Sequence, residues 1–395
     1  MDLGRLNYVT AYITIFSTIS TLGMDAFLVK EILSNENKKS IILGSAFLLR
    51  LVSSIFIFII GFTFFRFFDI RGNYLNLYLF LSFTLLLSPF DLIDIEFQAS
   101  LNSRKTVISK NLAYFIGAIF KIYLLYLRKP LIFYAALIGL ETLLAYSFLI
   151  FQYQFYNRKG IFSWKRNRNT TKQILYKAWP FTISGLAVIL YMRVDQIMIG
   201  KLLSVTAVGI FSGAVKISEL FTFIPMAISS SYFNTLMNSV NIGNRSEYIQ
   251  KNKLLFNWML IISIFIALLT TVFAKPIVYL LLGKSFFESI FILKIQIWTL
   301  VPIFLGVASF PYFAIENLQK ISLYKTIVGL ILNITLNYFF IPFYGAAGAA
   351  YATLISQVFT SIFSNLFYKK TQNIFLYQLS SFKSVILFKL NDFKF

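Results

Sequence analysis

Long apolar runs separated by short polar breaks make up most of this chain. A helix needs about 20 mostly apolar residues to cross about 30 Å of hydrocarbon. The runs are continuously apolar, which favours helices over the alternating strands of a membrane barrel. Eleven runs reach this length, and we predict a membrane-spanning helix in each: 8–29, 41–65, 75–97, 107–127, 130–155, 178–200, 206–236, 254–281, 288–313, 321–341 and 345–368.

The composition agrees with an all-α polytopic membrane protein. Of the 395 residues, 58% are hydrophobic and 13% are charged, whereas soluble globular proteins have about 45–50% and about 25%. The chain has no cysteine and no histidine, which excludes disulfides, thiolate catalysis, cysteine metal sites and the commonest general base. We therefore predict no cofactor, no metal site and no enzymatic activity.

The basic residues are distributed unevenly between the breaks. The chain has 36 Lys and Arg against 15 Asp and Glu, a formal net charge of +21. Most of the basic residues lie in alternate breaks, among them 30–39, 104–110 and 156–177, and in the C-terminal tail. Because basic loops remain in the cytoplasm, we predict that these breaks and the C-terminus are cytoplasmic and that Met1 lies outside. The charge thus indicates topology, and no nucleic-acid partner is predicted.

The longest cytoplasmic break divides the spans into five and six. This predicts an N-terminal helical lobe (1–156), a basic cytoplasmic linker (157–177), a C-terminal helical lobe (178–368) and a cytoplasmic basic tail (369–395). From Gln372 the tail alternates apolar stretches with lysines, and these stretches are too short to span a membrane. An interfacial helix and a disordered segment both fit this pattern.

An internal repeat relates the two halves. The segment 99–105 resembles 314–320 at an offset of 215, which also pairs Lys110 with Lys325, and 3–6 resembles 208–211 at an offset of 205. In the second half the span 178–200 precedes the segment 208–211, whereas in the first half no span precedes the matching segment 3–6. We therefore expect two pseudo-symmetric bundles, the first without its first helix, and a chain that is N-terminally incomplete or has a misassigned start.

Four stretches resemble a known family of membrane proteins: Gly4 to Glu31, Phe97 to Lys105, Tyr191 to Gly200 and Gly345 to Ala350. They are similar to the Wzx-type O-antigen and polysaccharide flippases of the multidrug/oligosaccharidyl-lipid/polysaccharide exporter superfamily. The resemblance implies two lobes of six helices around a central cavity, and alternating access. It also implies an undecaprenyl-pyrophosphate-linked oligosaccharide as substrate, moved from the inner to the outer leaflet of the bacterial inner membrane. Membrane lipids and other glycan-assembly membrane proteins are the implied partners.

Charged residues inside the predicted spans are the candidates for function, because a charge near the bilayer centre costs at least about 2.5–3.5 kcal/mol. One interpretation, supported by the resemblance, is that Arg193 faces the cavity and contacts the pyrophosphate. The alternative is that Arg193 snorkels and Asp195 pairs with a neighbouring helix. For Lys216 and Glu219 the alternative is a structural pair with each other. For Asp25 it is capping or a pair with Lys30, and for Arg50 and Lys294 it is snorkelling. The substrate-cavity candidates are Arg193, Asp195, Lys216, Glu219, Asp25, Arg50 and Lys294.

Three carboxylates are candidates for coupling transport to an ion or a proton. Asp91 and Asp94 share a helix face after Pro89, and Glu141 lies in the middle of an apolar run, where a protonated or hydrogen-bonded carboxyl is expected. Prolines inside the later spans predict kinks that suit a rocking bundle. These prolines are Pro225, Pro302 and Pro311.

Two alternatives to a glycolipid flippase stay open. A multidrug or cation antiporter of the same superfamily would favour intramembrane acids, whereas four internal charges here are basic: Arg50, Arg193, Lys216 and Lys294. A membrane enzyme of glycan assembly is less favoured. A polymerase would need a large external loop, and membrane acyltransferases rely on a histidine that this chain lacks.

Overall fold

The structure is a computed structural model that describes residues 2–67, 74–157, 163–316 and 318–386. These residues form α-helices, short 3₁₀ turns and connecting segments, without a strand in the described ranges. The α-helices are α1 (Asp2–Ser20), α2 (Asp25–Ser34), α3 (Lys39–Phe67), α4 (Leu75–Leu87), α5 (Leu92–Ala99), α6 (Ser103–Tyr126), α7 (Leu131–Asn157), α8 (Arg168–Leu202), α9 (Val205–Glu219), α10 (Phe223–Asn241), α11 (Arg245–Val272), α12 (Ala274–Leu281), α13 (Glu288–Gln296), α14 (Leu300–Ala308), α15 (Phe310–Ile315), α16 (Gln319–Tyr344), α17 (Ala346–Ser361) and α18 (Gln372–Ile386).

Ten helical segments of the described residues are long and apolar enough to cross a membrane. They correspond to ten of the eleven predicted spans, and they confirm the all-α membrane class. The prediction of one continuous span over 8–29 is wrong, because α1 ends at Ser20 and α2 begins at Asp25. Leu22 and Gly23 in the intervening turn have φ of 54° and 52°, left-handed values that interrupt a helix.

Helix breaks accompany the three prolines predicted to cause kinks. Pro225 is the third residue of α10, directly after the break between α9 and α10. Pro302 follows a 3₁₀ turn at Ile297–Thr299, and Pro311 lies in the first turn of α15. Proline lacks the N–H that would continue the preceding turn, which agrees with an interrupted helix at each of these positions. Pro89 has the same place in the break between α4 and α5.

The chain divides into two compact units, an N-terminal unit (Asp2–Arg193) and a C-terminal unit (Val194–Phe395). In the N-terminal unit, apolar residues of α2, α3, α5 and α8 form a core around Met24, Leu28 and Leu92, each of which is fully buried. In the C-terminal unit, α10, α11, α14 and α18 pack around Phe256 and Phe304. Burial of these apolar faces stabilises each bundle independently of the lipid-facing surface.

Part of the predicted basic linker is fixed to α3. Residues 163–167, which we call the strap, run beside the first turns of that helix. Ser40 donates its hydroxyl to the carbonyl of Ser163 at 2.8 Å, and its own carbonyl accepts from the amide of Lys165 at 3.2 Å. Gly44 lies directly beneath the strap, where a Cβ would overlap the backbone of Lys165. This close approach requires glycine.

The last residue of the strap starts α8. Asn167 accepts from the amides of Asn169 at 2.8 Å and Thr170 at 3.3 Å with its side-chain oxygen, which satisfies N–H groups that the first helical turn leaves open. Ser45 of α3 holds the Asn167 backbone from the other side, with hydrogen bonds of 3.3 Å to its N–H and its C=O. The helix therefore begins at Arg168, ten residues before the predicted start of its span at 178.

For residues 372–386 of the predicted tail, the structure shows the helical alternative. α18 buries one face against α11, with Ile374 and Gln378 fully buried and Tyr377 8% exposed. Gln378 donates to the carbonyl of Ser361 at 3.0 Å. This part of the tail is thus a component of the C-terminal core. The lysines at 389 and 394 lie outside the described residues.

Candidate functional site

A buried carboxylate lies between α8, α16 and α17 of the C-terminal unit. Asp195 on α8 is 5% exposed, and its two oxygens accept hydrogen bonds from different helices. The amide nitrogen of Asn337 on α16 donates to Oδ1 at 2.6 Å, and the hydroxyl of Thr353 on α17 donates to Oδ2 at 2.5 Å. Asn337 also donates to Oδ1 of Asn333, one turn earlier on α16, at 3.0 Å. We call these four residues, with Ser356, the Asp195 cluster.

The Asp195 cluster contains one acid and otherwise neutral polar groups. Asn333 donates to the hydroxyl of Ser356 at 3.4 Å, and both asparagines are fully buried. Within the described part of the chain, no ion pair joins Asp195 to a lysine or arginine. A buried carboxylate without a cationic partner is costly, and it is relieved by a proton or by a bound cation.

The side-chain oxygens of the Asp195 cluster are suitable ligands for a hard cation. The carboxylate, the amide oxygens of Asn333 and Asn337 and the hydroxyl of Thr353 are oxygen ligands of the kind such ions prefer. The Asn337 side-chain oxygen is buried without a hydrogen-bond partner among the described residues. Rotation of that amide would turn its oxygen toward a cation bound at the carboxylate. The cluster therefore has the chemistry to hold either a proton or a monovalent cation.

Arg50 and Asp25 come together in the N-terminal unit. Arg50 on α3 is fully buried, and its Nη2 forms an ion pair with Asp25 at the start of α2, whose side chain is 58% exposed. The Nε and Nη1 groups of Arg50 have no hydrogen-bond partner among the described residues. The sequence suggested Lys30 as a partner for Asp25 and a snorkelling position for Arg50; the structure shows instead that the two candidates neutralise each other.

Asp91 and Asp94 share one lysine. Nζ of Lys110 on α6 lies 3.0 Å from Oδ1 of Asp91 and 2.8 Å from Oδ2 of Asp94. The two carboxylates thus share a face, as their spacing predicted, and carry one negative charge in excess of the lysine. All three side chains are partly exposed.

Glu141 lies in the interface between α6 and α7, where its carboxylate is almost completely buried. Nζ of Lys121 on α6 lies 2.7 Å from Oε1 and 2.9 Å from Oε2. The carboxyl is hydrogen-bonded, one of the two states expected from the sequence. Gly117 lies one turn before Lys121, and a Cβ there would overlap the Glu141 carboxyl. The glycine therefore provides the space in which the pair forms.

We expect Gly117→Ala to destabilise the N-terminal unit by about 1–3 kcal/mol, because the added methyl displaces the Glu141 side chain from Lys121. The free energy of unfolding in detergent, measured by circular dichroism, checks this. Gly185→Ala is the matched control, since its Cβ meets Thr18 at an ordinary 3.5 Å. Equal stability of both alanine variants would contradict the role of Gly117.

The remaining candidates lie on three helices. Arg193 is partly buried on α8, Lys216 is exposed and Glu219 is partly buried on α9, and Lys294 is exposed on α13. Arg193, Lys216 and Glu219 each interact with neighbouring groups. Lys294 forms no ion pair within the described ranges. Exposure of Lys216 and Lys294 agrees with side chains that extend away from the packed core of the C-terminal unit.

Two buried charges were missed by the sequence analysis. Glu96 on α5 is 2% exposed and lies 2.5 Å from Nζ of Lys39. Lys325 on α16 is 7% exposed, donates to Asn365 at 2.6 Å and lies 4.8 Å from the centre of the Phe313 ring. Lys39 had been counted with the basic break 30–39, and Lys325 had been named only as the repeat partner of Lys110. Nothing in the sequence alone distinguishes a lysine that folds back into the bundle from one in a loop.

Comparison with known proteins identifies the family. Residues 1–240 match the profile of the family described as polysaccharide biosynthesis protein. The chain belongs to that family. Residues 180–339 also match the profile of the MatE family. Among curated proteins, no match was found. The polysaccharide biosynthesis match spans more than half the chain and includes Asp25, Arg50, Arg193 and Asp195.

Solved structures share the fold of this polysaccharide biosynthesis family member. One is a multidrug resistance MATE family transporter of the MOP superfamily in an inward-facing conformation, with a TM-score of 0.74, 15% identity, and coverage of 96% of this chain and 95% of that one. Another is the lipid II flippase MurJ in an inward closed conformation, with a TM-score of 0.74, 13% identity, and coverage of 99% and 87%. A MOP superfamily transporter from Pyrococcus furiosus has a TM-score of 0.64, 15% identity, and coverage of 95% and 88%.

These similarities confirm the resemblance to the exporter superfamily. The family member is a multi-pass membrane protein with the fold of MOP superfamily transporters and flippases. The matched structures are described as transporters and a flippase, none as an enzyme. At these identities the likeness concerns the fold, and the substrate is a separate question.

Proposed function

We propose that this protein is a flippase for an undecaprenyl-pyrophosphate-linked oligosaccharide, such as an O-antigen or capsule repeat unit. It moves this glycolipid from the inner to the outer leaflet of the bacterial inner membrane by alternating access, with its C-terminus in the cytoplasm. The observation that carries the substrate class is the polysaccharide biosynthesis match over residues 1–240. Similarity of fold to a lipid II flippase agrees with a lipid-linked substrate.

The Asp195 cluster supports coupling to a cation or a proton. A carboxylate with only amide and hydroxyl partners changes its charge when it binds either species. In alternating access, such a site drives transport when its affinity differs between the two conformations. We assign this role to Asp195, which had been a substrate candidate, ahead of Asp91, Asp94 and Glu141. Those three already have a lysine partner.

Basic side chains within the membrane serve the diphosphate in this proposal. Arg193 is the leading contact, because guanidinium groups bind phosphate oxygens with two parallel hydrogen bonds. The polar glycan crosses within the protein while the polyprenyl chain stays in lipid. Other glycan-assembly membrane proteins supply the substrate and receive the product.

A multidrug or cation antiporter is the second candidate. The MatE match over residues 180–339 and the similarity to a multidrug resistance transporter favour it. The Asp195 cluster suits cation exchange in either function. The two functions differ in the effect of a basic intramembrane residue, because a diphosphate needs positive charge and an organic cation is repelled by it.

The test is surface display of glycan in a bacterial strain that lacks its own flippase. We expect the wild-type chain to restore display and Arg193→Ala to reduce it to near the background, because the diphosphate loses its counter-charge. Lys201→Ala is the control, since Lys201 is exposed in the last turn of the same helix. Full display with Arg193→Ala would remove Arg193 from the mechanism. Drug resistance without glycan display would favour the antiporter.

A further inference from the structure

The strap and the first turns of α8 carry a dense basic surface. Five of the residues from 163 to 179 are lysine or arginine and none is acidic, so the segment has no internal counter-charge. Among the described residues, Lys177 forms an ion pair, with Glu31 at 3.6 Å. The other four have no ion pair in the described ranges and are all exposed: Lys165, Arg166, Arg168 and Lys172.

Large apolar and amphipathic side chains adjoin these basic residues. Leu175, Tyr176 and Trp179 on α8 are 49%, 80% and 56% exposed. The opposite face of the helix, with Ile174 and Ala178, is buried in the core of the N-terminal unit. Exposed tryptophan and tyrosine beside lysine and arginine are typical of helix segments at the membrane–water interface.

The length of α8 places this surface at the headgroups. Its 35 residues correspond to about 52 Å of helix, whereas the hydrocarbon is about 30 Å thick and the bilayer with its headgroups about 40–45 Å. The apolar span begins at Phe181. Residues 168–180 therefore emerge from the hydrocarbon on one side, with Trp179 and Tyr176 nearest to it and the four unpaired basic residues farther out.

The surface is held in place by the fold. Ser40 and Ser45 bind the strap backbone, and Asn167 caps α8. Trp164 in the strap donates from its indole nitrogen to the Tyr153 hydroxyl at 2.9 Å. A basic segment fixed in this way presents its charges to a membrane without first losing the conformational entropy of a flexible loop.

We propose that the strap and residues 168–179 of α8 form a docking surface for anionic phospholipid headgroups on the side of the membrane that faces the α8 N-terminus. Juxtamembrane clusters of lysine and arginine bind anionic lipid through additive electrostatic attraction. An acidic protein partner fits less well, because the exposed Trp179 and Tyr176 lie beside the start of a membrane span, where lipid surrounds them. The proposal is independent of the transported substrate.

A single fluorescent probe tests this surface. The chain has no cysteine, so Gln173→Cys, at an exposed position between the basic residues, takes an environment-sensitive dye without background labelling. The full-length protein is reconstituted in vesicles of phosphatidylcholine alone or mixed with phosphatidylglycerol, and quenching by the neutral quencher acrylamide is measured. We expect quenching to fall several-fold when phosphatidylglycerol is present.

Two charge variants separate this surface from general electrostatics. Replacement of Lys165, Arg166, Arg168 and Lys172 with glutamine is expected to abolish the effect of phosphatidylglycerol. Replacement of four exposed basic residues elsewhere with glutamine is expected to preserve it: Arg128, Lys129, Lys201 and Lys284. Circular dichroism and the unfolding temperature in detergent establish that both variants are folded.

Three results would overturn the proposal. The first is a probe that responds equally in both kinds of vesicle. The second is a response to phosphatidylglycerol that persists when Lys165, Arg166, Arg168 and Lys172 are replaced with glutamine. The third is protection by inorganic phosphate added to phosphatidylcholine vesicles, which would indicate a site for a free anion instead of a lipid surface.

Discussion

Replacing Asp195 with asparagine is expected to abolish transport while leaving the protein folded. Asparagine has nearly the shape of aspartate, and the hydroxyl of Thr353 still has an oxygen to which it donates. The variant cannot take up a proton at this position, and it loses the negative charge that attracts a cation. We expect surface glycan in the flippase-deficient strain to fall to the background level, because the coupling step is lost.

Ligand-dependent stability separates the two coupling species. A cation that binds the folded protein raises its unfolding temperature, by an amount equivalent to about 2.7 kcal/mol at one hundred times its dissociation constant. If the cluster binds sodium, sodium chloride stabilises the wild type more than choline chloride does, and Asp195→Asn loses the difference. If it binds a proton, sodium has no effect and the pH dependence of wild-type transport is the signal.

Glu247→Gln is the control for Asp195→Asn. Glu247 lies in the first turn of α11 and pairs with Lys251 at 2.5 Å, so it is a carboxylate with a cationic partner. We expect this variant to transport normally. An Asp195→Asn protein with full surface glycan and unchanged dependence on sodium and pH would disprove coupling through the Asp195 cluster.

The positions of the spans were predictable because hydrocarbon imposes a length and a polarity on each helix. The exception, 8–29, shows what this reasoning misses. An apolar composition averaged over twenty residues conceals the turn at Leu22 and Gly23, where backbone conformation ends α1. The helical extension ahead of the predicted span 178–200 escaped the same reasoning, since Arg168 to Lys177 is helical although it is too polar to span.

The partners of the charged residues were not predictable in the same way. Arg50 pairs with Asp25, which lies in a different helix, and the partners of Asp195 lie on α16 and α17, more than a hundred residues away. Such pairs are set by helix packing. One signal was present: Asn333 and Asn337 are four residues apart in an apolar run, which places two amides on one helix face.

Removing Asp25 and removing Arg50 should destabilise the protein by different amounts, although both break the same ion pair. Asp25→Ala leaves a fully buried guanidinium whose Nε and Nη1 already lack hydrogen-bond partners among the described residues. Removing the partner of a buried charge costs about 3–5 kcal/mol. We expect a loss of about 3 kcal/mol in the free energy of unfolding, since the exposed side of Asp25 shows that water reaches part of the pair.

Arg50→Met should cost far less than Asp25→Ala, although it removes the same ion pair. The carboxylate that remains is 58% exposed and is solvated by water, and methionine fills the buried volume without a charge. The double variant should regain most of the stability lost in Asp25→Ala. Glu31→Ala, which breaks the longer pair with the exposed Lys177, is the control and should change stability by less than about 1 kcal/mol. Equal losses of stability for Asp25→Ala and Arg50→Met would mean that the ion pair itself, and not the burial of Arg50, determines the energy. Only a guanidinium left buried without a counter-charge makes the loss depend on which partner is removed.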